Sequence, residues 1–368
     1  MTASSPSDGP RPRFDVIVMG AGQAGLAMGY FLARRGLRFL ILERASAVAP
    51  AWRERWDSLV LFTPARFSGL PGLPFPGDPD HHPTRDEVVA YLERYAERFR
   101  LPIAFDRGVD SVAARDGRYV VRAGDVEYEA DQVVVATGPF QVPRLPDFAE
   151  RLSPEVVQMH STGYRRPGDL PAGRALVVGG GNTGVQIAHE LTSTHEVHLA
   201  LGSRQMPLPQ RLLGRDLFWW LTKLRLMAAT VDSRVGRRMR GRDTLVGSSP
   251  RRLRRRHAVK IHPRAIGAAG SSIAFADGTT LELDVVIWAT GYRLDQAWLR
   301  VPKGPDGTIA HRRGITDAPG LYLLGLTWQH TRGSALLGWV AEDAEFIAEE
   351  IAAWRAAAGG TRRSAAAV

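Results

Sequence analysis

The chain has 368 residues, no cysteine and a formal net charge of +10, with a sequence pI near 10.4. The absence of cysteine excludes disulfide bonds, thiolate metal sites and any dithiol redox centre. The length is sufficient for two domains that each bury a core. No apolar stretch approaches the ~20 residues of a membrane helix, and the N-terminus lacks a signal-peptide pattern. We therefore expect a cytoplasmic protein with no transmembrane segment and a disordered leader over residues 1–12.

The first informative motif is a glycine-rich turn between a strand and a helix. An apolar run from Phe14 to Met19 leads into Gly20-Ala-Gly22-Gln-Ala-Gly25, which opens a helix predicted from Ala24 to Arg35. In such a G-x-G-x-x-G pattern the first glycine permits the tight turn, the second lets the backbone approach a pyrophosphate, and the third lets the helix pack on the strand. The next strand ends at Glu43, at the spacing of a carboxylate that binds a ribose hydroxyl. This pattern predicts a dinucleotide site.

The segment up to residue 138 is typical of the rest of the same domain. A stretch rich in proline and glycine runs from Thr63 to Pro83, and an amphipathic helix is predicted from Arg85 to Phe99. Alternating strands between Val109 and Tyr128 lead to a buried strand that ends at Thr137-Gly138. We expect a doubly wound sheet, in which this last strand breaks into a glycine turn beside a dinucleotide.

The second half of the chain repeats the plan. A strand from Ala175 to Val178 precedes Gly179-Gly-Gly181-Asn-Thr-Gly184, and a further strand runs from Glu196 to Leu201. A basic, helical insertion covers residues 205–256, a hairpin is predicted from Ser271 to Leu283, and the apolar strand from Val285 ends at Ala289-Thr-Gly291. Two glycine fingerprints, each followed by a strand that ends in Ala-Thr-Gly, predict two dinucleotide-binding domains.

Arginines concentrate in the insertion between Arg234 and Arg256. Such a cluster could contact phosphates or an acidic surface. No helix-turn-helix, RNA-recognition or zinc-finger pattern accompanies it, so we expect no nucleic-acid partner. The insertion would then be either a solvated arginine-rich segment or the source of a local field that attracts an anionic nicotinamide cofactor.

In these motifs the chain resembles the bacterial flavin-containing monooxygenases, which are class B flavoprotein monooxygenases related to the Baeyer–Villiger enzymes. The resemblance covers nearly the whole chain. Besides the two glycine loops, the motifs that carry it are Trp52-Arg-Glu-Arg-Trp56, Pro71-Gly-Leu-Pro-Phe-Pro76, Gln158-Met-His160-Ser161-Thr-Gly-Tyr164-Arg165, Ala289-Thr-Gly-Tyr292, Pro319-Gly-Leu-Tyr-Leu-Leu-Gly325 and Gly333-Ser-Ala-Leu-Leu-Gly338.

The resemblance implies an α/β fold of two Rossmann-like dinucleotide-binding domains, with the NAD(P)-binding domain inserted in the FAD-binding domain. The FAD-binding domain would comprise residues 13–160 and 288–356, and the NAD(P)-binding domain residues 161–287. A flexible tail over residues 357–368 would end the chain. The implied FAD ligands are Gly20, Gly22, Gln23, Ala24, Gly25, Glu43, Arg44, Trp52, Val109, Thr137, Gly138 and Gly325. The implied NADP ligands are Gly179, Gly181, Asn182, Thr183, Gly184, Ser203 and Arg204.

The residues that directly follow the strand ending at Leu201 should determine the preference between NADH and NADPH. An acid at this position favours NADH by binding ribose hydroxyls, whereas arginine favours a 2′-phosphate. The chain has Gly202-Ser203-Arg204, which predicts NADPH, with NADH as the alternative.

The resemblance implies a monooxygenase that reduces FAD with NADPH, adds dioxygen to form a flavin C4a-(hydro)peroxide, and transfers one oxygen atom to a sulfide, amine, indole-like ring or ketone. Many relatives have an asparagine close to the flavin, and none is present from Trp52 through Pro83. Thr63 is the local hydroxyl we expect to assist, and His160 is a candidate for cofactor contact or for a hinge between domains. The interdomain motif also lacks the family's phenylalanine and glycine, since Pro154 and Val156 stand there.

Other interpretations stay open. A reductase that passes electrons to an acidic protein would suit the basic surface, although Gly325 is followed by Leu326 where such reductases have Gly-Asp. A catalytically weak nucleotide-binding accessory protein is a third alternative. Residues Trp328 to His330 could line a substrate pocket. The Trp219-Trp220 helix is expected to cover the cleft or form a homodimer seam rather than bind a membrane.

Overall fold

The computed structural model describes residues 11–240 and 244–365. The strands are β1 (Arg13–Met19), β2 (Phe39–Leu42), β3 (Ile103–Ala104), β4 (Ser111–Arg115), β5 (Arg118–Ala123), β6 (Val126–Val135), β7 (Val142–Pro143), β8 (Val157–His160), β9 (Arg174–Val178), β10 (Glu196–Ala200), β11 (Met206–Leu208), β12 (Arg211–Leu212), β13 (Arg215–Asp216), β14 (Thr244–Val246), β15 (Lys260–His262), β16 (Ala265–Ala269), β17 (Ser272–Phe275), β18 (Thr280–Glu282), β19 (Val285–Trp288), β20 (Tyr292–Arg293), β21 (Leu299–Arg300), β22 (His311–Arg312), β23 (Ile315–Thr316) and β24 (Leu321–Leu323). The α-helices are α1 (Gln23–Arg34), α2 (Pro50–Arg53), α3 (Arg85–Arg98), α4 (Asn182–Leu191), α5 (Leu217–Lys223), α6 (Arg234–Arg240), α7 (Pro250–His257) and α8 (Val340–Ala365). Short 3₁₀ helices cover Ala65–Phe67, Asp147–Arg151, Pro167–Asp169 and Arg332–Ala335.

The first sheet is built around β1, which pairs in parallel with both β2 and β6. Its main path runs β21-β4-β5-β6-β1-β2-β3, and β24 joins β6 in parallel. Strands buried on both faces need continuous apolar sequence, and Val16, Ile17 and Val18 are fully buried. Helix α1 packs against α8 on one face. The first sheet and these helices therefore form the predicted doubly wound unit.

The second sheet contains β15, β10, β9, β19 and β8 in that order, all parallel. Helix α4 packs on β9 and β10, and the antiparallel β16-β17-β18 layer follows β15 in the chain. The two cores on this sheet have fully buried side chains at their centres, among them Val177, Ile187 and Trp288. A second Rossmann-like unit is thus present.

Several predicted boundaries differ from the structure. Strand β8 pairs with β19 in the second sheet, whereas we expected residues up to 160 in the first domain. Arg11 forms ion pairs with Glu127 and Glu129 of β6, although the predicted disordered leader extended to residue 12. Residues 1–10 lie outside the described part. Helix α8 continues to Ala365, so the tail predicted from residue 357 is helical to that point.

The insertion at residues 205–256 is only partly helical. Its first segment forms β11, which pairs in parallel with β14, and a short antiparallel pair, β12 and β13. Helices α5, α6 and α7 follow or interrupt these strands. Within the described residues, no helix is both long and apolar enough to cross a membrane.

Candidate functional site

The first glycine loop joins β1 to α1, and each glycine has a different environment. Gly20 has φ +106°, and a Cβ there would lie 2.7 Å from the carbonyl oxygen of Ala136. A Cβ on Gly25 would lie 1.9 Å from the carbonyl oxygen of Gly20. A Cβ on Gly22 would meet nothing within 4 Å. Two of the glycines are therefore required by the packing of the protein, and the middle one faces open space that a ligand can occupy.

The second glycine loop, between β9 and α4, repeats this arrangement. Gly179 has φ +127°, and its Cβ would lie 2.2 Å from the carbonyl oxygen of Ala289. The Cβ of Gly184 would lie 2.0 Å from the carbonyl oxygen of Gly179, and that of Gly181 would meet nothing within 4 Å. Each first glycine thus packs on the alanine of an Ala-Thr-Gly strand end, and each helix N-terminus opens onto free space suited to a pyrophosphate.

Glu43 follows β2 and holds the first loop. Its side chain is 4% exposed, the backbone N–H of Ala21 donates to Oε2 at 2.7 Å, and that of Ala45 donates to Oε1 at 3.0 Å. Each carboxylate oxygen can accept a further hydrogen bond, so ribose recognition is compatible with this position. The neighbouring Arg44 is exposed.

Residues from distant segments meet at the N-terminus of α1. The indole N–H of Trp52 donates to Oε1 of Gln23 at 2.8 Å, and Nε2 of Gln23 donates to the carbonyl oxygen of Ala335 at 2.8 Å. Gly325 has φ +82°, and a Cβ there would lie 2.8 Å from the Cβ of Ala24. The structure therefore brings the predicted residues Gln23, Ala24, Trp52 and Gly325 together beside the first loop.

The remaining predicted residues of the first site are Thr137, Gly138 and Val109. Thr137 and Gly138 follow β6, and Nε2 of Gln141 donates to Thr137 Oγ1 and to the carbonyl oxygen of Gly138, both at 2.8 Å. Val109 is half-buried against the core that lies on β4, β5 and β6. Ligands in open α/β sheets bind outside the carboxyl ends of parallel strands, which is where Thr137 and Gly138 lie.

Thr63 is buried in the loop before the first 3₁₀ helix. It is 5% exposed, and its Oγ1 lies 3.1 Å from Oγ of Ser68, which in turn lies 3.0 Å from the carbonyl oxygen of Pro64. Since a carbonyl can only accept, Ser68 donates to Pro64 and Thr63 donates to Ser68. The Thr63 hydroxyl can therefore still accept a hydrogen bond. To donate one to another group, it must break its hydrogen bond to Ser68.

His160 ends β8 and contacts the strand end that supports the second loop. Its Nε2 lies 3.0 Å from the carbonyl oxygen of Gly291, and its Nδ1 accepts from the backbone N–H of Thr162 at 3.3 Å. This arrangement requires a neutral ring protonated on Nε2. Burial lowers the pKa of His160, and the nearby Arg55 guanidinium lowers it further, against the raising effect of the Gly291 carbonyl. His160 thus contacts the strand end after β19, and its role as a hinge or in cofactor contact stays a prediction.

Further contacts around this histidine involve residues of both units. Nη1 of Arg55 donates to the hydroxyl of Tyr292 at 2.7 Å, and the Arg55 guanidinium lies over the ring of Phe140. Tyr164 donates to Glu190 on α4 at 2.9 Å, and Arg165 donates to the carbonyl oxygens of residues 53 and 55, both at 2.8 Å. The segment 160–165 therefore contacts both units.

In the second site, Asn182 contacts the insertion. Its Nδ2 donates to the carbonyl oxygen of Thr244 at 3.1 Å, and its Oδ1 accepts from the backbone N–H of Val246 at 3.0 Å. Both ends of the amide thus hold β14 against the N-terminus of α4. The adjacent Thr183 is half-buried.

The predicted residues for cofactor preference lie after β10. Ser203 and Arg204 are exposed, and Gln205 donates from Nε2 to the hydroxyl and the carbonyl of Ser203, both at 3.2 Å. The sequence reasoning missed Arg264, which follows the neighbouring strand β15. Its Nη2 donates to the carbonyl oxygen of Gly202. The available signal was its place just beyond the carboxyl end of a parallel strand, but the order β15-β10 is not evident from the sequence.

The insertion packs on the first unit through an aromatic cluster. Phe218 stacks with Phe62 at 5.7 Å between ring centroids and tilts against Trp339 at 5.9 Å, and Phe67 stacks on the same tryptophan. Helix α5 was predicted to cover the cleft, and its ring contacts with the first unit are made by Phe218. Trp219 and Trp220 are half-buried beside it.

The segment Trp328 to His330 follows β24. Trp328 has φ +57°, a left-handed conformation that is strained for a bulky side chain. Gln329 is buried, and its amide bonds to the backbone of Leu323 and Leu326. Gln329 thus supports the turn, while Trp328 and His330 are half-buried.

With this geometry established, the chain can be compared with known proteins. Residues 17–209 match the family described as pyridine nucleotide-disulphide oxidoreductase. An uncharacterized CzcO-like oxidoreductase of Geobacillus kaustophilus is 44% identical over 92% of this chain and 98% of its own length. Indole-3-pyruvate monooxygenase YUCCA4 of Oryza sativa subsp. japonica is 30% identical over 91% of this chain and 86% of its own length.

A solved structure shows the same organisation. The flavin-containing monooxygenase from Stenotrophomonas maltophilia has a TM-score of 0.79 and 30% identity, covering 93% of this chain and 99% of that one. Since the chain has no cysteine, the disulfide chemistry in the family's description does not extend to it. The predicted two-domain fold, the resemblance and the cofactors are confirmed: the chain belongs to the pyridine nucleotide-disulphide oxidoreductase family as a flavin-containing monooxygenase, an oxidoreductase that uses FAD and NADPH.

Proposed function

We propose that the protein transfers one atom of dioxygen to a small organic substrate by way of a flavin C4a-(hydro)peroxide. The substrate classes that remain open are sulfides, amines, indole-like rings and ketones. The name of the YUCCA relative adds an aromatic 2-oxo acid to the compounds to be tested. Bound FAD supplies the oxygen chemistry, and the chain supplies binding, orientation and exclusion of water.

The observation that carries this proposal is the pair of equivalent glycine loops, each with an open middle glycine. Gly22 and the buried Glu43 would receive the pyrophosphate and ribose of FAD, and Gly181 would receive the pyrophosphate of NADPH. Both sites lie at the carboxyl edges of parallel strands. The contacts of His160 and Arg55 with the segment around Gly291 join the two sites.

The preference for NADPH would rest on two arginines. Arg204 follows β10, and Arg264 reaches the carbonyl oxygen of Gly202 from the end of β15. Both side chains are exposed. A 2′-phosphate beside Ser203 would gain charge-assisted hydrogen bonds from guanidinium groups at this position.

The aromatic cluster of Phe62, Phe67, Phe218 and Trp339 would exclude water from the cleft side of the loop that contains Thr63. Helix α5 supplies Phe218 from the insertion, so this covering layer depends on the second unit. Its loss would expose the reduced flavin to solvent.

Stopped-flow mixing of the NADPH-reduced protein with oxygenated buffer tests the proposal. A transient absorbance band of the C4a-adduct, followed by oxygenated product, is the expected result. Fast electron transfer to a protein acceptor without this band would instead favour a reductase. Failure of NADPH to reduce the flavin would favour an accessory protein.

A further inference from the structure

Arg332 lies next to the first dinucleotide loop. It opens the 3₁₀ helix Arg332–Ala335, whose N-cap Thr331 accepts from the backbone N–H of Gly333 at 3.1 Å. The last residue of that helix, Ala335, accepts the hydrogen bond from Gln23 at the start of α1. Arg332 is therefore about one turn from the residues that surround the first loop.

The insertion approaches Arg332 from the opposite side. The backbone N–H of Val231 donates to the carbonyl oxygen of His330 at 2.8 Å, and Thr230 forms an antiparallel bridge with Thr331. Residues 330–332 are thus held between the first unit and the insertion of the second. Under the proposed function, FAD bound at the first loop would place the substrate near this junction.

The charge of Arg332 is not compensated within the described part of the chain, where its side chain has neither an ion pair nor a hydrogen bond. The nearby Arg313 differs, because it bonds to Asp343 at 3.0 Å and lies over the ring of Phe346. Burial alone lowers the pKa of the half-buried Arg332 guanidinium. A desolvated cation without a counter-ion is unfavourable unless an anion binds to it.

We propose that Arg332 binds a carboxylate of the organic substrate, so that the enzyme prefers anionic substrates over neutral ones of the same shape. This inference rests on the proposed function. The phosphates of the two dinucleotides are already provided for at Gly22 and at Gly181 with Ser203. The anionic form of the reduced flavin ring is the other nearby source of negative charge, and the experiment separates it from a substrate carboxylate. A guanidinium suits a carboxylate because its fork matches both oxygens.

The test uses two sulfides that differ in one charge, 4-(methylthio)benzoate and its methyl ester, with the FAD-loaded protein. Binding to the oxidised enzyme is measured from the change in the flavin spectrum, and sulfoxide formation gives KM and kcat. Arg332→Gln removes the charge and Arg332→Lys keeps it. The control is Arg300→Gln, at an exposed arginine on the edge strand β21.

We expect wild type to bind the benzoate about ten- to a hundredfold more tightly than the ester, and Arg332→Gln to lose this preference. Arg332→Lys should keep most of it, and Arg300→Gln should equal wild type. Equal wild-type affinities for the two sulfides would overturn the proposal, even if Arg332→Gln failed to fold. Two results for Arg332→Gln would also overturn it. One is an effect confined to the KM for NADPH, and the other is a shifted flavin reduction potential with an unchanged preference for the benzoate. Binding is read from the flavin spectrum and needs no oxygenation, so the two proposals can fail separately. If wild type prefers the benzoate, Arg332→Gln loses this preference, and wild type forms no sulfoxide, the Arg332 site is supported and the proposed function is contradicted.

Discussion

Nε2 of His160 donates to the carbonyl oxygen of Gly291 at 3.0 Å, across the junction between β8 and the strand end after β19. The ring also packs edge-on against Tyr292, with 4.8 Å between centroids. Because Gly291 belongs to the Ala-Thr-Gly segment that packs on the second glycine loop, a side chain of segment 160–165 contacts the backbone that supports this loop.

Replacing His160 with phenylalanine should weaken NADPH use more than FAD binding. The edge-on ring contact with Tyr292 is kept but the hydrogen bond to Gly291 is lost, which is worth about 0.5–1.5 kcal/mol, or roughly two- to tenfold in KM. His160→Gln keeps an N–H donor and should lie closer to wild type. Steady-state kinetics and the ratio of flavin to protein absorbance measure the two effects. An unchanged KM for NADPH in His160→Phe would contradict the hinge role.

The two middle glycines allow a matched pair of variants. Gly22→Val should yield protein without flavin colour, because its side chain occupies the pyrophosphate position. Gly181→Val should keep FAD but be reduced far more slowly by NADPH. Neither Cβ meets protein atoms within 4 Å, and both positions have extended backbone, so a direct clash is not expected.

The measurement for this pair is flavin absorbance of the purified proteins, followed by anaerobic reduction with NADPH. A yellow Gly22→Val protein would show that FAD does not approach this glycine. Reduction of Gly181→Val at the wild-type rate would remove the second loop from the NADPH site.

Cofactor preference should depend on Arg204 and Arg264 together. A charge-assisted contact to the 2′-phosphate contributes about 1.5–3 kcal/mol, so each alanine variant should raise the KM for NADPH roughly ten- to a hundredfold and leave that for NADH nearly unchanged. If Arg264→Ala raises both KM values equally, its role is to support the turn at Gly202 through the observed hydrogen bond. An unchanged NADPH-to-NADH ratio in Arg204→Ala would exclude that residue as the phosphate ligand.

The loop around Thr63 lacks the asparagine found in many relatives. We therefore expect NADPH consumption to be poorly coupled to oxygenation of the substrate. Thr63 donates to Ser68 in the structure, so only part of its hydrogen-bonding capacity is available to the flavin site. We expect sulfoxide to form from an aryl sulfide, with much of the NADPH yielding hydrogen peroxide. Thr63→Val should increase that fraction, and Ser68→Ala, which frees the Thr63 hydroxyl, should decrease it. Tight coupling in wild type and Thr63→Val alike would show that another group protects the intermediate.

Stability should fall in mildly acidic solution because of a histidine pair in the second unit. Nδ1 of the buried His198 lies 2.8 Å from Nε2 of the half-buried His262, whose ring stacks on Phe275. Burial is the largest cause that lowers the pKa of both histidines, and Lys260 lowers both further, against the raising effects of Glu196 on His198 and of Asp277 on His262. As pH falls below about 6.5, the unfolded chain takes up protons before the folded one does, so the free energy of unfolding decreases.

The melting temperature should therefore drop between pH 7 and pH 5, and His198→Gln should show a smaller drop. Scanning calorimetry at fixed ionic strength measures the difference. An equal pH dependence in wild type and His198→Gln would assign the acid sensitivity to other groups.

The sequence predicted what depends on local requirements. A tight turn against Ala136, a helix start at Gln23 and a strand ending at Glu43 each follow from a few neighbouring residues. It could not predict contacts between distant segments. The bond from Gln23 to Ala335 spans 312 residues, and Arg264 reaches Gly202 only because β15 lies beside β10. The assignment of β8 to the first domain was wrong for the same reason, since its partner β19 follows it by more than a hundred residues.

The segment Ala289-Thr290-Gly291 has two duties at once. Its first carbonyl oxygen lies against Gly179 in the second glycine loop, and its last carbonyl oxygen accepts the hydrogen bond from His160. A ligand that moved segment 160–165 would therefore act on backbone that also shapes the second glycine loop. By thermodynamic reciprocity, if such a ligand changed the affinity for NADPH, NADPH would change the affinity for that ligand by the same factor.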